Sequence, residues 1–234
     1  MLKKLGLALL VVLALGVAAN FTIGDRLVLK LMQRQVVDNL SGAAFADFSD
    51  GLNIVLCGAG SPMPDLKRAG PCVAVIAGEQ VLIVDVGSGS ARQLAPAGIP
   101  TGKIAAVLLT HFHSDHIDGL GELLMQRWVN GAHTSPTPVI GPAGVEQVVE
   151  GFNRAYTQDF SYRVGHHGAA LVPPGGAGGV AKPFALPAPG EQLLVYEAGG
   201  LKVTAISVEH PPIVPAVAYR FDYQGRSAVI SGDT

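Results

Sequence analysis

From Thr110 to His116 the chain reads Thr-His-Phe-His-Ser-Asp-His, setting three histidines and an aspartate within six residues. Imidazole and carboxylate are the ligand types taken by zinc and similar divalent ions. Apolar Ile104–Leu109 precedes the stretch as a buried strand, and Ile117, Leu120, Leu124 and Trp128 follow at helical spacing. A tight strand-to-helix turn brings side chains so spaced into a small volume. Four ligands exceed the needs of one catalytic ion, which keeps a position open for water. The pattern therefore points to two ions about 3.5–4 Å apart. Such a pair activates water as hydroxide near neutral pH and steadies the charge that develops on the substrate. Asp115, a ligand and a carboxylate beside that water, is the candidate catalytic residue that orients or deprotonates it.

The His-x-His-x-Asp-His motif after a hydrophobic strand resembles the signature of the metallo-β-lactamase-fold hydrolases. The resemblance runs from Leu52 to Thr234. It includes Gly58-Ala59-Gly60-Ser61-Pro62, the strand Leu82-Ile83-Val84-Asp85-Val86-Gly87, Val208-Glu209-His210-Pro211-Pro212 and Ser231-Gly232-Asp233-Thr234. It implies that His111, His113 and His210 hold one metal, that Asp115 and His116 hold the second, and that Asp233 bridges them. Asp85 would orient the metal loop through hydrogen bonds without touching an ion. Two Zn2+ are implied for the complete domain, with Mn2+ or Fe as alternatives for such a ligand set. The family's last metal-binding histidine would lie beyond Thr234, so the domain reads as C-terminally truncated. The implied fold is α/β (α+β), a four-layer αβ/βα sandwich incomplete at its C-terminus.

The segment His210–Arg220, followed by Gly-Asp-Thr, is similar to the ribonuclease Z and arylsulfatase-like branch. That branch implies cleavage of a phosphodiester or sulfate ester. Only 22 residues separate His210 from Asp233, too few for the tRNA-gripping arm the resemblance would place there. The expectation is therefore an exported hydrolase of a small anionic ester. One alternative is a ribonuclease Z-like tRNA 3′-processing endonuclease. The other is a non-catalytic fragment that binds one metal or none. Homodimers are common in the family, so a second copy is among the implied partners.

The N-terminus carries its own message. Lys3 and Lys4 precede an apolar run from Leu5 to Ala19, the pattern of a signal peptide or signal anchor over residues 1–24. Val17-Ala18-Ala19 offers a cleavage site, whereas Leu5–Ile23 reaches the roughly 17–25 residues of a membrane span. No Gly/Pro-rich break follows, which favours the uncleaved anchor and a membrane partner. Arg26, Lys30 and Arg34 balance the basic head, so charge alone does not orient the segment. The short head favours a catalytic domain on the periplasmic or extracellular side. Residues 25–51 read as a juxtamembrane helix (Asp25–Leu40) and linker, and 52–234 as the hydrolase domain. Cys57 and Cys72 are either a disulfide of an oxidising compartment or two buried thiols.

Composition bounds the rest. Apolar residues make up 49% of the 234 and charged residues 15%, enough for one buried core. Net charge is −2 with no basic run, which does not resemble a dedicated nucleic-acid surface. Strands are expected at Asn53–Cys57, Cys72–Ala77, Gln80–Val86, Gln192–Glu197, Leu201–Val208, Ala216–Asp222 and Ser227–Ile230, and a helix over Ala143–Tyr156. Leu171–Pro187, rich in Gly and Pro, reads as a long loop. Trp128 belongs in the core and His133 on the surface. His166 and His167 are either a loop pair or polar groups at the metal rim. Gly87-Ser88-Gly89-Ser90 is either a tight strand-to-helix connection or an anion cradle.

Overall fold

Continuous apolar runs and alternating ones divide the strands between two sheets. The computed structural model describes Gly24, Leu27, Val28, Lys30, Leu31, Arg34, Phe48 and residues 50–234 except Pro64. Residues 1–23, with most of the expected signal segment, lie outside the described residues, as does most of the linker. Gly24, Leu27, Val28, Lys30, Leu31 and Arg34 are helical. The chain divides into two units, Met1–Asp38 and Asn39–Thr234, and the second carries both sheets.

Six strands form the larger sheet in the order β1 to β6: β1 (Leu52–Gly58), β2 (Cys72–Ala77), β3 (Gln80–Val84), β4 (Ile104–Leu108), β5 (Thr137–Pro142) and β6 (Gly179–Phe184). The first three pair antiparallel, and β3 through β6 pair parallel. The second sheet has the order β10-β9-β8-β7, built from β7 (Gln192–Ala198), β8 (Leu201–Ser207), β9 (Val217–Tyr223) and β10 (Arg226–Ile230).

Strands β3 and β4 are covered on both faces, which is why they read as unbroken apolar runs. Val81, Ile83, Ile104 and Val107 face helices α1 (Ala91–Leu94), α3 (Leu120–Gly131) and α4 (Val145–His167). Leu82, Val84, Ala106 and Leu108 face the second sheet, meeting Leu201, Val203, Ala205, Val217, Tyr219 and Phe221. Strand β8 alternates buried Leu201, Val203 and Ala205 with the more exposed Lys202 and Thr204, as a sheet covered on one face must. The described residues thus supply helices, large sheet and small sheet as three stacked layers, a mixed α/β architecture consistent with the metallo-β-lactamase fold.

Two sequence expectations need correction. Leu171–Pro187 is not loop throughout, because Gly179–Phe184 forms β6, in register with β5 from Thr137↔Gly179 to Pro142↔Phe184. An edge strand tolerates glycine and proline, so the composition that signals a loop also suits this position. The Asn153 side chain both donates to the Gly179 carbonyl (2.8 Å) and accepts from its N–H (2.9 Å), pinning the strand to α4. Helix α4 also runs past Tyr156 to His167 and stops at Gly168, whose φ of +83° suits glycine.

Candidate metal centre

The centre is built at the carboxyl ends of β3 and β4. Asp85 follows β3 with φ of +56°, a left-handed conformation that aspartate tolerates better than most residues. Its buried carboxylate accepts three hydrogen bonds: Thr110 N–H to Oδ1 (2.8 Å), and Thr110 Oγ1 and His116 Nδ1 to Oδ2 (2.8 Å each). The short helix α2 (Ser114–Ile117) carries Asp115 and His116 back against this residue. Its position is held by backbone bonds from Val86 N–H to the His116 carbonyl and from Gly119 N–H to the Val86 carbonyl, both 2.8 Å. Gly87 permits that approach, since a Cβ there would collide with the Asp115 carbonyl and with Gly70.

The small sheet supplies the other side. Tyr219 on β9 donates its buried hydroxyl to the Leu109 carbonyl (2.7 Å), and Val217 N–H donates to the Thr110 carbonyl (3.0 Å). Burial first, and the Asp85 charge second, hold the Tyr219 phenol well above its ordinary pKa, so it stays a donor. His210 lies in the turn between β8 and β9, where Ile213 N–H donates to its carbonyl (2.7 Å). Asp233 follows β10 on the turn at Gly232, whose φ is +62° and whose missing side chain leaves room for Thr110.

These elements bring the expected residues together. One ligand atom each from His111, His113, His210 and Asp233 lies within 4.8 Å of the others. His116 Nε2 stands 3.4 Å from Asp233 Oδ1 and 3.8 Å from Asp115 Oδ2. The ring centres of His111 and His116 are 4.2 Å apart, and those of His111 and His210 are 5.0 Å apart. Asp85 sits behind the cluster.

Two buried atoms test whether a cation suits this arrangement. His116 Nε2 and His210 Nε2 are both buried with no hydrogen-bond partner among the described residues. With Nδ1–H donated to Asp85, the His116 Nε2 lone pair faces Asp115 and Asp233, an arrangement that only a proton or a metal cation relieves. Burial, the largest single influence on His116, opposes its protonation. The Asp85 bond and the charges of Asp85, Asp233 and Asp115 together outweigh it, and its pKa rises. His111 is driven the other way, to about 4, by burial and then by His116, leaving a neutral imidazole at pH 7. Imidazoles beside carboxylates form a donor set that fits a divalent ion.

The remaining candidates fall elsewhere. His133 is half-buried, not on the surface, because its Nε2 donates to the Gly102 carbonyl (2.8 Å) ahead of β4. His166 and His167 end α4 as a mutual ring pair, outside the cluster. Gly87–Ser90 is a strand-to-helix connection: Gly87 N–H donates to the Pro71 carbonyl (2.9 Å), and Ser90 Oγ to the Gly87 carbonyl (2.7 Å). Trp128 is buried, with Nε1 donating to the Pro173 carbonyl (2.7 Å). Thr110 and Tyr219 are the site residues that residue type did not reveal. One merely precedes the motif, and the other sits in an inward apolar run.

Cys57 and Cys72 form a disulfide, Cα atoms 5.0 Å apart, that closes the loop between β1 and β2. That loop walls a cavity of about 370 Å³, where Met63, Leu66 and Arg68 face Ser88, Ser114 and Asp115. A second cavity, about 240 Å³, lies against Asp85, His116 and Asp233.

Residues 67–234 match the Metallo-beta-lactamase superfamily, and the chain belongs to that superfamily. It is 39% identical over 191 residues to Ribonuclease Z of Mycobacterium bovis (strain BCG / Pasteur 1173P2), covering 78% of this chain and 63% of that protein. It is 36% identical over 188 residues to Ribonuclease Z of Mycolicibacterium gilvum (strain PYR-GCK), covering 78% and 62%. The chain thus spans less than two thirds of the length of these curated relatives. Human tRNase Z, short form, shares the fold at a TM-score of 0.56 and 22% identity, over 77% of this chain and 68% of that one. The metallo-beta-lactamase fold protein YhfI from Bacillus subtilis does so at 0.54 and 24%, over 80% and 64%.

Proposed function

We propose that this chain is a metal-dependent phosphodiester hydrolase of the ribonuclease Z type, holding two divalent ions, zinc by preference. The observation that carries the metal centre is the pair of buried nitrogens without a hydrogen-bond partner among the described residues, His116 Nε2 and His210 Nε2, within a cluster of carboxylates and imidazoles. His111, His113 and His210 would bind one ion, Asp115 and His116 the other, with Asp233 shared. When bound, such ions lower the pKa of a coordinated water and polarise the scissile bond. Asp115 would be placed to orient that water and accept its proton, while Asp85 holds His116 in place. The identity to ribonuclease Z of two species supports the diester class.

Zinc-loaded protein is to be assayed on bis(p-nitrophenyl) phosphate, p-nitrophenyl sulfate and a precursor tRNA with a 3′ trailer. Cleavage of the diester and the tRNA, abolished by chelation, is the expected result. Sulfate-ester cleavage alone, or no cleavage by a metal-loaded chain, overturns this reading.

The disulfide favours a second reading. Disulfides persist in oxidising compartments, so Cys57–Cys72 supports export, the setting expected from the sequence for a membrane-attached hydrolase of a small anionic ester. Fractionation of tagged protein, with the cysteines' redox state read by thiol labelling, separates the two. A cytosolic chain with reduced cysteines contradicts export.

A further inference from the structure

We infer that Thr110 is a positioning residue that relays the Asp85 carboxylate to His111 and fixes which nitrogen of that imidazole is bare. The inference rests on the reading of the cluster as a metal centre. It follows from counting protons.

Thr110 Oγ1 makes two contacts, 2.8 Å to Asp85 Oδ2 and 3.0 Å to His111 Nδ1. A hydroxyl carries one proton, and an ionised carboxylate can only accept. The Thr110 proton therefore goes to Asp85, and the proton in the second contact comes from His111. His111 is thus protonated at Nδ1 and bare at Nε2. Its Nε2 lies 3.0 Å from His113 Nδ1, inside the cluster. His116 needs no intermediary: it donates Nδ1–H directly to Asp85, and its Nε2 has no hydrogen-bond partner among the described residues. One carboxylate therefore sets two imidazoles, His116 directly and His111 through a threonine.

Thr110 is itself held from three sides. Its N–H donates to Asp85 Oδ1 (2.8 Å), its carbonyl accepts from Val217 N–H (3.0 Å), and its side chain packs where a Cβ on Gly232 would stand. The backbone contacts do not depend on the hydroxyl. Thr110→Val keeps them and the side-chain shape, and removes only the relay. Thr110→Ser keeps the relay.

The test is a long-range ¹H–¹⁵N spectrum of the histidine ring nitrogens in metal-free full-length protein, with zinc affinity measured in parallel by chelator competition. Wild type is expected to show His111 and His116 both protonated at Nδ1. Thr110→Val should lose that state at His111 alone and weaken zinc binding about 10- to 100-fold, the usual cost of removing such an outer partner. Thr110→Ser should match wild type. His111 protonated at Nε2 in wild type overturns the relay, as does a Thr110→Val protein with unchanged spectrum and zinc affinity. Should the valine variant fail to fold, the wild-type spectrum and the serine variant decide. The spectrum needs no metal, so a chain that shows the expected tautomers yet binds no zinc refutes the metal centre and leaves the relay standing.

Discussion

Asp85 receives three hydrogen bonds at a single buried carboxylate, and the centre depends on its being an acceptor at both oxygens. Asp85→Asn puts an amide donor against one of those donors. Metal affinity should fall about 10- to 100-fold, read by zinc competition, with the fold retained in circular dichroism. His133 carries a pH dependence away from the metal. Its pKa is lowered, chiefly by burial and further by the nearby Arg127, despite the bond to Gly102. A histidine depressed below its unfolded value of 6.5 contributes stability that is complete above that pH. The contribution is lost as pH falls from there through the folded value. Urea unfolding at pH 7.5 and pH 5 should therefore show a smaller acid loss in His133→Gln than in wild type. Residue type and spacing revealed the ligands, because imidazoles so close in sequence have few other uses. They did not reveal Thr110, whose role lies in two hydrogen bonds, nor the burial of His133, which depends on a carbonyl 31 residues away.

The elements hold the centre by close backbone approach. Gly87, Gly70 and the turn at Asp115 share a space with no room for a Cβ. Gly87→Ala should displace α2 and cost bound metal more than global stability, which metal analysis and thermal melting would separate. The disulfide closes the loop that carries Gly70. It spans 15 residues, and removing such a cross-link costs about 3 kcal/mol by loop entropy. Cys57→Ser with Cys72→Ser should lower urea stability by about that amount and expose residues 59–71 to proteolysis, while zinc content stays unchanged. Unbroken apolar runs made β2, β3 and β4 legible. Strand β6 was not, since Gly179 and Pro183 argue against a strand unless its place at the sheet edge is known. The end of α4 is not legible because its C-terminal half buries little and its polar residues resemble a loop.

At the scale of the molecule, two sheets meet over one apolar interior and the centre sits where their ends converge. Tyr219 spans that junction, and Tyr219→Phe leaves the Leu109 carbonyl without its partner. The buried unpaired carbonyl should cost about 1–3 kcal/mol in denaturant unfolding. Periodicity alone gives a mixed α and β chain. The layered sandwich came from the resemblance carried by the histidine motif, and the stacking of Leu82 and Val84 on Val203 and Phe221 gives it a physical basis. Substrate class was the least legible feature, because the same ligand types serve the hydrolysis of many esters.

Metal content per chain, measured on purified wild type and on His111→Ala, decides whether the cluster of His111, His113, His210 and Asp233 binds ions. Two equivalents of zinc in wild type, falling below one in the variant, are predicted. A wild-type chain that is folded by circular dichroism and retains no divalent ion after zinc loading would contradict the account.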